Sequence, residues 1–243
     1  MRVPEIHGVI RRRVLVNFRV DPEVMQRSLP ANMRPKLAHG TAIAGICLIR
    51  LEHVRPALLE RIDVGLVSEN AAHRVAVEWD EGGARHEGVF IVRRDSDSWL
   101  NQLVGGRLFP GEHSAADFQV TDDGTDLDFA MRSRDRQVEV RFAGTAASAL
   151  PTGSCFTSVE DSSTFFREGS AGYSVTHDPT RLDGLELVTD GWHVAALEVS
   201  RVYSSWFADT ARFPEGSVQF DHALVMRDLR HHWKALPDFT VSK

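Results

Sequence analysis

Strand-type patterning, cut at short intervals by turn residues, is the feature that most limits what this chain can fold into. Arg13-Val14-Leu15-Val16-Asn17-Phe18-Arg19-Val20 is β-branched and partly alternating, as a first strand is. Asp21-Pro22-Glu23 then supplies a capping aspartate, a proline at the first helical position and an acid in the first turn. A helix is predicted from Pro22 to about Leu29, stopping before Pro30. Ala42 to Leu51 is an apolar run suited to a buried strand. His73 to Trp79 and Arg85 to Arg93 flank the turn sequence Asp80-Glu81-Gly82-Gly83, so they form a hairpin. Ser98 to Val104 carries a helical face. Ala116 to Val120, Asp126 to Ser133 and Gln137 to Phe142, parted by polar turns, read as an antiparallel meander. Val159 to Glu168 is a short helix; Leu185 to Val188, His193 to Tyr203 and Ser217 to Val225 are late strands. With no repeat and no linker, this patterning predicts a single α+β domain over residues 1–243, built on antiparallel sheet with few helices.

Charge and motif content narrow the function. Hydrophobic residues at 42% and charged residues at 26% describe an ordinary globule and exclude a disordered chain. A net charge of −6 argues against a nucleic-acid partner, which would need a basic face. No apolar run approaches the roughly 20 residues that span a bilayer, so no membrane partner is expected. Arg11, Arg12 and Arg13 have no apolar core before them, which is unlike a signal peptide. Cys47 and Cys155, without Cys-x-x-Cys spacing, fit a reducing cytoplasm and exclude a disulfide framework or a cysteine zinc site. The eleven histidines lack His-x-x-x-His and His-x-His spacing, so scattered surface and core roles are favoured over a metal site. Neither phosphate-loop nor dinucleotide-binding glycine patterns occur, and Gly-x-Ser-x-Gly is absent. No cofactor is expected. Of the 28 basic residues only Lys36, Lys234 and Lys243 are lysine. That bias, with much alanine, suggests a GC-rich bacterial genome.

Phe18-Arg19-Val20-Asp21-Pro22-Glu23 to Leu29-Pro30 is followed by Asp95-Ser96-Asp97-Ser98-Trp99 and by Gly105-Gly106-Arg107-Leu108-Phe109-Pro110. In that order and spacing, from Arg11 to Val120, the chain resembles the acetoacetate decarboxylase-like superfamily, in particular its uncharacterised bacterial branch. The resemblance implies an antiparallel β-barrel or cone with flanking helices and a buried polar pocket. In the decarboxylases an aromatic-Pro step precedes two lysines, the first of which forms a Schiff base whose lowered pKa is a standard illustration of nucleophile activation. Here Phe109-Pro110 is followed by Gly111-Glu112-His113. Gly111 then stands at the Schiff-base position and Glu112 at that of its cationic neighbour, which removes imine chemistry. By the same resemblance, Arg11 falls where the family keeps a first-strand arginine, with Arg12 and Arg13 leaving the register open by one residue. Glu69 falls where the family places a pocket glutamate; its residue-level reading alone is a solvated loop residue. His113 is either a turn residue or a partner in proton transfer.

The expectation is an enzyme without imine chemistry, with Glu69, Glu112 and His113 moving protons while Arg11 and Phe109 hold a carbonyl-containing or carboxylated substrate. Dehydration, isomerisation and cyclisation all need only such transfers, and bacterial secondary metabolism is a fitting setting. The alternative is a non-catalytic small-molecule-binding protein of the same fold. The resemblance leaves room for a homo-oligomer.

Overall fold

A computed structural model describes residues 6–56, 65–98 and 111–241 of the chain. The first strand, β1 (Ile6–Val20), is longer than its alternating stretch, and Asp21 caps α1 (Pro22–Gln26) by accepting from the Glu23 and Val24 amides. Two short strands, β2 (Arg34–Pro35) and β3 (Leu37–Ala38), lead into β4 (Thr41–Pro56), β5 (Leu66–Glu81) and β6 (Ala84–Ser96). The β5–β6 hairpin turns at Gly82 and Gly83, both at positive φ, as the glycine pair requires. β7 (His113–Asp122), β8 (Asp126–Ser133) and β9 (Glu139–Ala147) form the antiparallel meander. Then come α2 (Val159–Arg167), β10 (Ala171–Val175), β11 (Arg181–Thr189), β12 (Ala195–Ser204), β13 (Val218–Ala235) and β14 (Phe239–Thr240). The predicted helix after Ser98 lies outside the described residues.

The fold is α+β and strand-rich, and its sheet is mainly antiparallel. Two pairings depart from that expectation, because β6 runs parallel to both β10 and β7. Strand pairings make a circuit β1–β4–β5–β6–β10–β11–β13 and back to β1. On β1, β4 and β5 successive side chains point to opposite sides. Val14, Val16, Ala44, Ile46, Leu48, Ala71 and Val75 enter the main core, where Phe129 and Phe142 of the meander meet them. Leu15, Ile43, Cys47 and Ala76 face the other way, against Phe156 and Phe166. Among the described residues no helix is long and apolar enough to cross a membrane.

Candidate functional site

The second side of the shared strands borders a cavity of about 370 Å³, a size suited to a small ligand. Every strand of the circuit contributes: Arg13 from β1, Cys47 and Ile49 from β4, Ala72 and Arg74 from β5, Val89 and Ile91 from β6. Gly172 of β10, Leu185 and Leu187 of β11 and Trp233 of β13 complete the ring, with Phe166 and Arg167 of α2 and Trp192 over it. The walls are largely apolar, and the charged groups among them are of one sign. Four arginines line the cavity (Arg13, Arg74, Arg94 and Arg167), and no carboxylate or lysine does so among the described residues.

Arg74 is 3% exposed. Its Nη2 donates to Asn17 Oδ1 at 2.7 Å and its guanidinium lies over the Phe166 ring, while Nε and Nη1 have no protein partner. Arg94 donates through Nε and Nη2 to Ser174 Oγ at 3.1 and 3.0 Å, a neutral acceptor. Arg13 Nε donates to Cys47 Sγ at 3.2 Å and its guanidinium rests near the Trp192 ring. Burial pulls Arg74 and Arg94 down to about 10, so both stay charged at neutral pH, and neither has a carboxylate to offset its desolvation. Such a cluster is complementary to an anion: a carboxylate could accept from two guanidiniums at once.

A chain of fully buried polar groups holds Arg74 in place. Asp221 Oδ2 lies 2.6 Å from His222 Nδ1, which makes that nitrogen the donor and leaves Nε2 as acceptor. Nε2 then accepts from Ser162 Oγ at 2.7 Å and from Asn17 Nδ2 at 3.1 Å, and Asn17 presents its oxygen to Arg74. Burial would push Asp221 up, but hydrogen bonds from His222, Ser154 and the Cys155 amide outweigh it and hold the carboxyl down to about 2. The adjacent Ser163 accepts from Trp192 Nε1 at 2.9 Å, so α2 fixes both a guanidinium and a cavity wall.

The residues expected from the sequence are not gathered in one place. His113 lines a smaller recess that shares Cys47, Ile49, Ala72, Arg94 and Trp233 with the cavity. Glu69 is buried, but Ala72 and Arg74 face the cavity and alternation along β5 sends Glu69 to the opposite side. There it pairs with Arg12 at 2.6 Å and Arg50 at 3.3 Å. Glu112 is part-exposed and pairs with His177 at 3.0 Å, away from the cavity. Arg11 is half-exposed and pairs with Glu52 and Asp228. Phe109 lies outside the described residues. Gly111 has φ +85°, and a Cβ there would sit 2.4 Å from the Cβ of Ser174, the residue that holds Arg94. Arg74, Arg94 and Asn17 were missed: Asn17 is a lone polar residue in an apolar stretch, Arg74 follows His73 and Arg94 follows Arg93, and none of them forms a spacing motif. For Asn17 and Arg74 the one signal is polarity on a predicted strand; Arg94 lies just past the predicted end of its strand at Arg93.

Among the described residues no group of histidine, cysteine, aspartate or glutamate side chains could hold a metal ion.

No curated protein sequence matches this chain. Solved structures do, at low identity and nearly full length. The enduracididine biosynthesis enzyme MppR superposes with a TM-score of 0.61 at 13% identity, over 100% of this chain and 89% of that one. An acetoacetate decarboxylase-like enzyme from Sphingomonas wittichii gives 0.58 at 15% identity, over 98% and 95%. Acetoacetate decarboxylase from Legionella pneumophila gives 0.58 at 14%, over 98% and 89%. These likenesses establish the acetoacetate decarboxylase-like architecture. In sequence, residues 9–219 match DUF2071, described as an uncharacterised conserved protein, and the chain belongs to that family.

Proposed function

We propose that this protein is an enzyme acting on a small anionic carbonyl compound, such as a 2-oxo acid, by proton transfer and without an imine. The observation that carries the reading is the convergence of Arg13, Arg74 and Arg94 on a largely apolar cavity that holds neither a carboxylate nor a lysine among the described residues. A guanidinium buried without a counter-charge, as that of Arg74 is, is costly, and a bound carboxylate relieves that cost. One solved structure of MppR is a complex with pyruvate, a ligand of this chemistry.

Imine formation needs an amine at the carbonyl. Lys36 is buried elsewhere, against Glu87 and the Phe165 carbonyl. Residue 111, which the resemblance places at the Schiff-base position, has no room for a side chain beside Ser174. With a carboxylate on Arg74 and Arg13, Arg94 is placed to stabilise negative charge that develops on the carbonyl oxygen as a proton leaves the neighbouring carbon. His113, on the recess that shares Arg94, is the acid–base group we assign. Dehydration, isomerisation and cyclisation all follow from that step.

Exchange of pyruvate methyl protons in D2O tests the step without knowledge of the natural substrate. The protein is expected to accelerate exchange, and His113→Asn to lower the rate by about 10²-fold or more while pyruvate still raises the melting temperature. Borohydride added during turnover should leave the intact mass unchanged. A reduced adduct on a lysine would overturn the imine-free reading. Binding without exchange would make the protein a non-catalytic binder.

A further inference from the structure

Cys47 stands at the junction of the two spaces described above. Alternation along β4 turns its side chain to the cavity side, and it lines both the arginine-rich cavity and the His113 recess. Its register partners are Leu15 on β1 and Ala72 on β5, and Ala72 lines the cavity with it. Arg13 Nε donates to Sγ at 3.2 Å. A buried cysteine on its own is most often a small apolar side chain. Here a second observation points to a ligand beside it: Arg74, 3% exposed, lines the same cavity with Nε and Nη1 unpartnered. Reactive cysteines sit in such electropositive settings next to a ligand space.

We infer that Cys47 is a nucleophile that captures the carbonyl carbon of an oxo acid whose carboxylate rests on the guanidiniums. The inference rests on the anionic-ligand reading of the cavity and adds a covalent step to it. The step is redox-neutral. A bond forms between Sγ and the carbonyl carbon, the carbon–oxygen π bond breaks, and its electron pair goes to the oxygen. The thiol proton is transferred to that oxygen, giving a hemithioketal. Reversal expels the sulfur and regenerates the ketone, so no oxidant or co-reactant is needed. Arg94 donates to the oxygen as charge builds on it. The tether keeps the substrate in the cavity, and its reversal delivers the free ketone beside the recess that carries His113, where the α-proton can leave.

Two probes test this on the whole protein. Iodoacetate carries a carboxylate and iodoacetamide does not, so the guanidiniums recruit only the first. Cys47 is expected to be alkylated by iodoacetate at least about tenfold faster than by iodoacetamide, the scale of one charge-assisted hydrogen bond. Pyruvate should protect it, and Arg74→Gln, which removes a guanidinium assigned to the carboxylate, should abolish the preference. Cys155 is the internal control: burial and the nearby Asp221 push its thiol up to about 12, and it should stay unmodified. Carbon NMR of pyruvate labelled at the carbonyl should show a tetrahedral carbon that disappears in Cys47→Ser, while that variant still binds pyruvate. Binding of pyruvate with no tetrahedral carbon, or equal rates with both reagents, would overturn the covalent role alone. Failure of pyruvate to bind the wild-type protein at all would instead overturn the anionic-ligand reading beneath it.

Discussion

Arg11, Arg12 and Arg13 are consecutive and chemically identical, yet each meets a different environment. The register of β1 against β4 jumps between Ile10 and Arg12, and Arg11 lies at that bulge beside Asp228, itself at positive φ. A bulge reverses the alternation beyond it. Ile10 therefore packs with Ile49 and Trp233, Arg12 turns to Glu69 on the other side, and Arg13 reaches the cavity. No propensity marks that bulge, which is why sequence alone left the register open by one residue. Glu69 shows the same limit. Its burial follows from a partner 57 positions away, a pairing visible only once β1 and β5 are folded together. The role we assign it is structural. Removing its charge leaves Arg12, 2% exposed, with Asp122 at 3.3 Å as its one counter-charge among the described residues. Glu69→Gln is expected to cost about 3 kcal/mol in denaturant unfolding while pyruvate still binds. Unchanged stability with lost turnover would return Glu69 to the acid–base role. Arg11→Ala, by contrast, should leave the denaturant midpoint near that of the wild-type protein and pyruvate binding intact, since Arg11 is solvent-exposed and such ion pairs are screened.

At the scale of elements, the apolar run of β4, the β5–β6 hairpin around its glycines and the β7–β9 meander were legible, although β5 begins at Leu66, well before the predicted start at His73. β10 was not, because Ala171-Gly172-Tyr173-Ser174-Val175 is short, with glycine and serine on either side of Tyr173, and owes its place to parallel pairing with β6. The polar end of β13, Arg230-His231-His232, was missed for a related reason: β1 and β11 pair with it and override its composition. α2 was legible as a helix, since Ser158 caps it and acids fill its first turn. Its purpose was not, since Ser162 and Ser163 gain meaning only from His222 and Trp192. Asn17→Leu tests that arrangement, because it removes the amide linking His222 to Arg74. Stability should fall by about 1–3 kcal/mol, the cost of stranding buried partners. Pyruvate should also bind more weakly, because Arg74 loses the acceptor that orients it. A loss of stability with an unchanged dissociation constant would show that the chain supports only the fold.

For the whole molecule, the two sides of the shared strands divide the labour: one closes the main core with the meander, the other is left open around the arginines. That division comes from long-range pairing of seven strands, which local patterns do not specify. It also buries histidines that cannot easily charge. His73, wholly buried between Trp206 and Phe207, is lowered to about 3 by burial, with Arg93 and Arg212 adding to the effect. His231 is lowered to about 4 by burial first, then by Arg13, His232 and His7. Both are neutral in the folded state, whereas an unfolded imidazole takes up a proton near pH 6.5. Below that pH the unfolded chain binds more protons than the folded one, so stability falls as pH drops. The loss from His231 runs down to about pH 4 and that from His73 to about pH 3. Asp95 and Asp97, both raised chiefly by burial, act in the opposite sense nearer the carboxylate range, so the imidazoles are best read just below pH 6.5. Between about pH 6.5 and 5.5 the unfolding free energy should decline with a slope approaching two protons, and His231→Gln should remove close to one of them. A pH-independent free energy across that interval would mean that both imidazoles reach water, and the packing of β5 and β13 around them would have to be looser than their burial indicates.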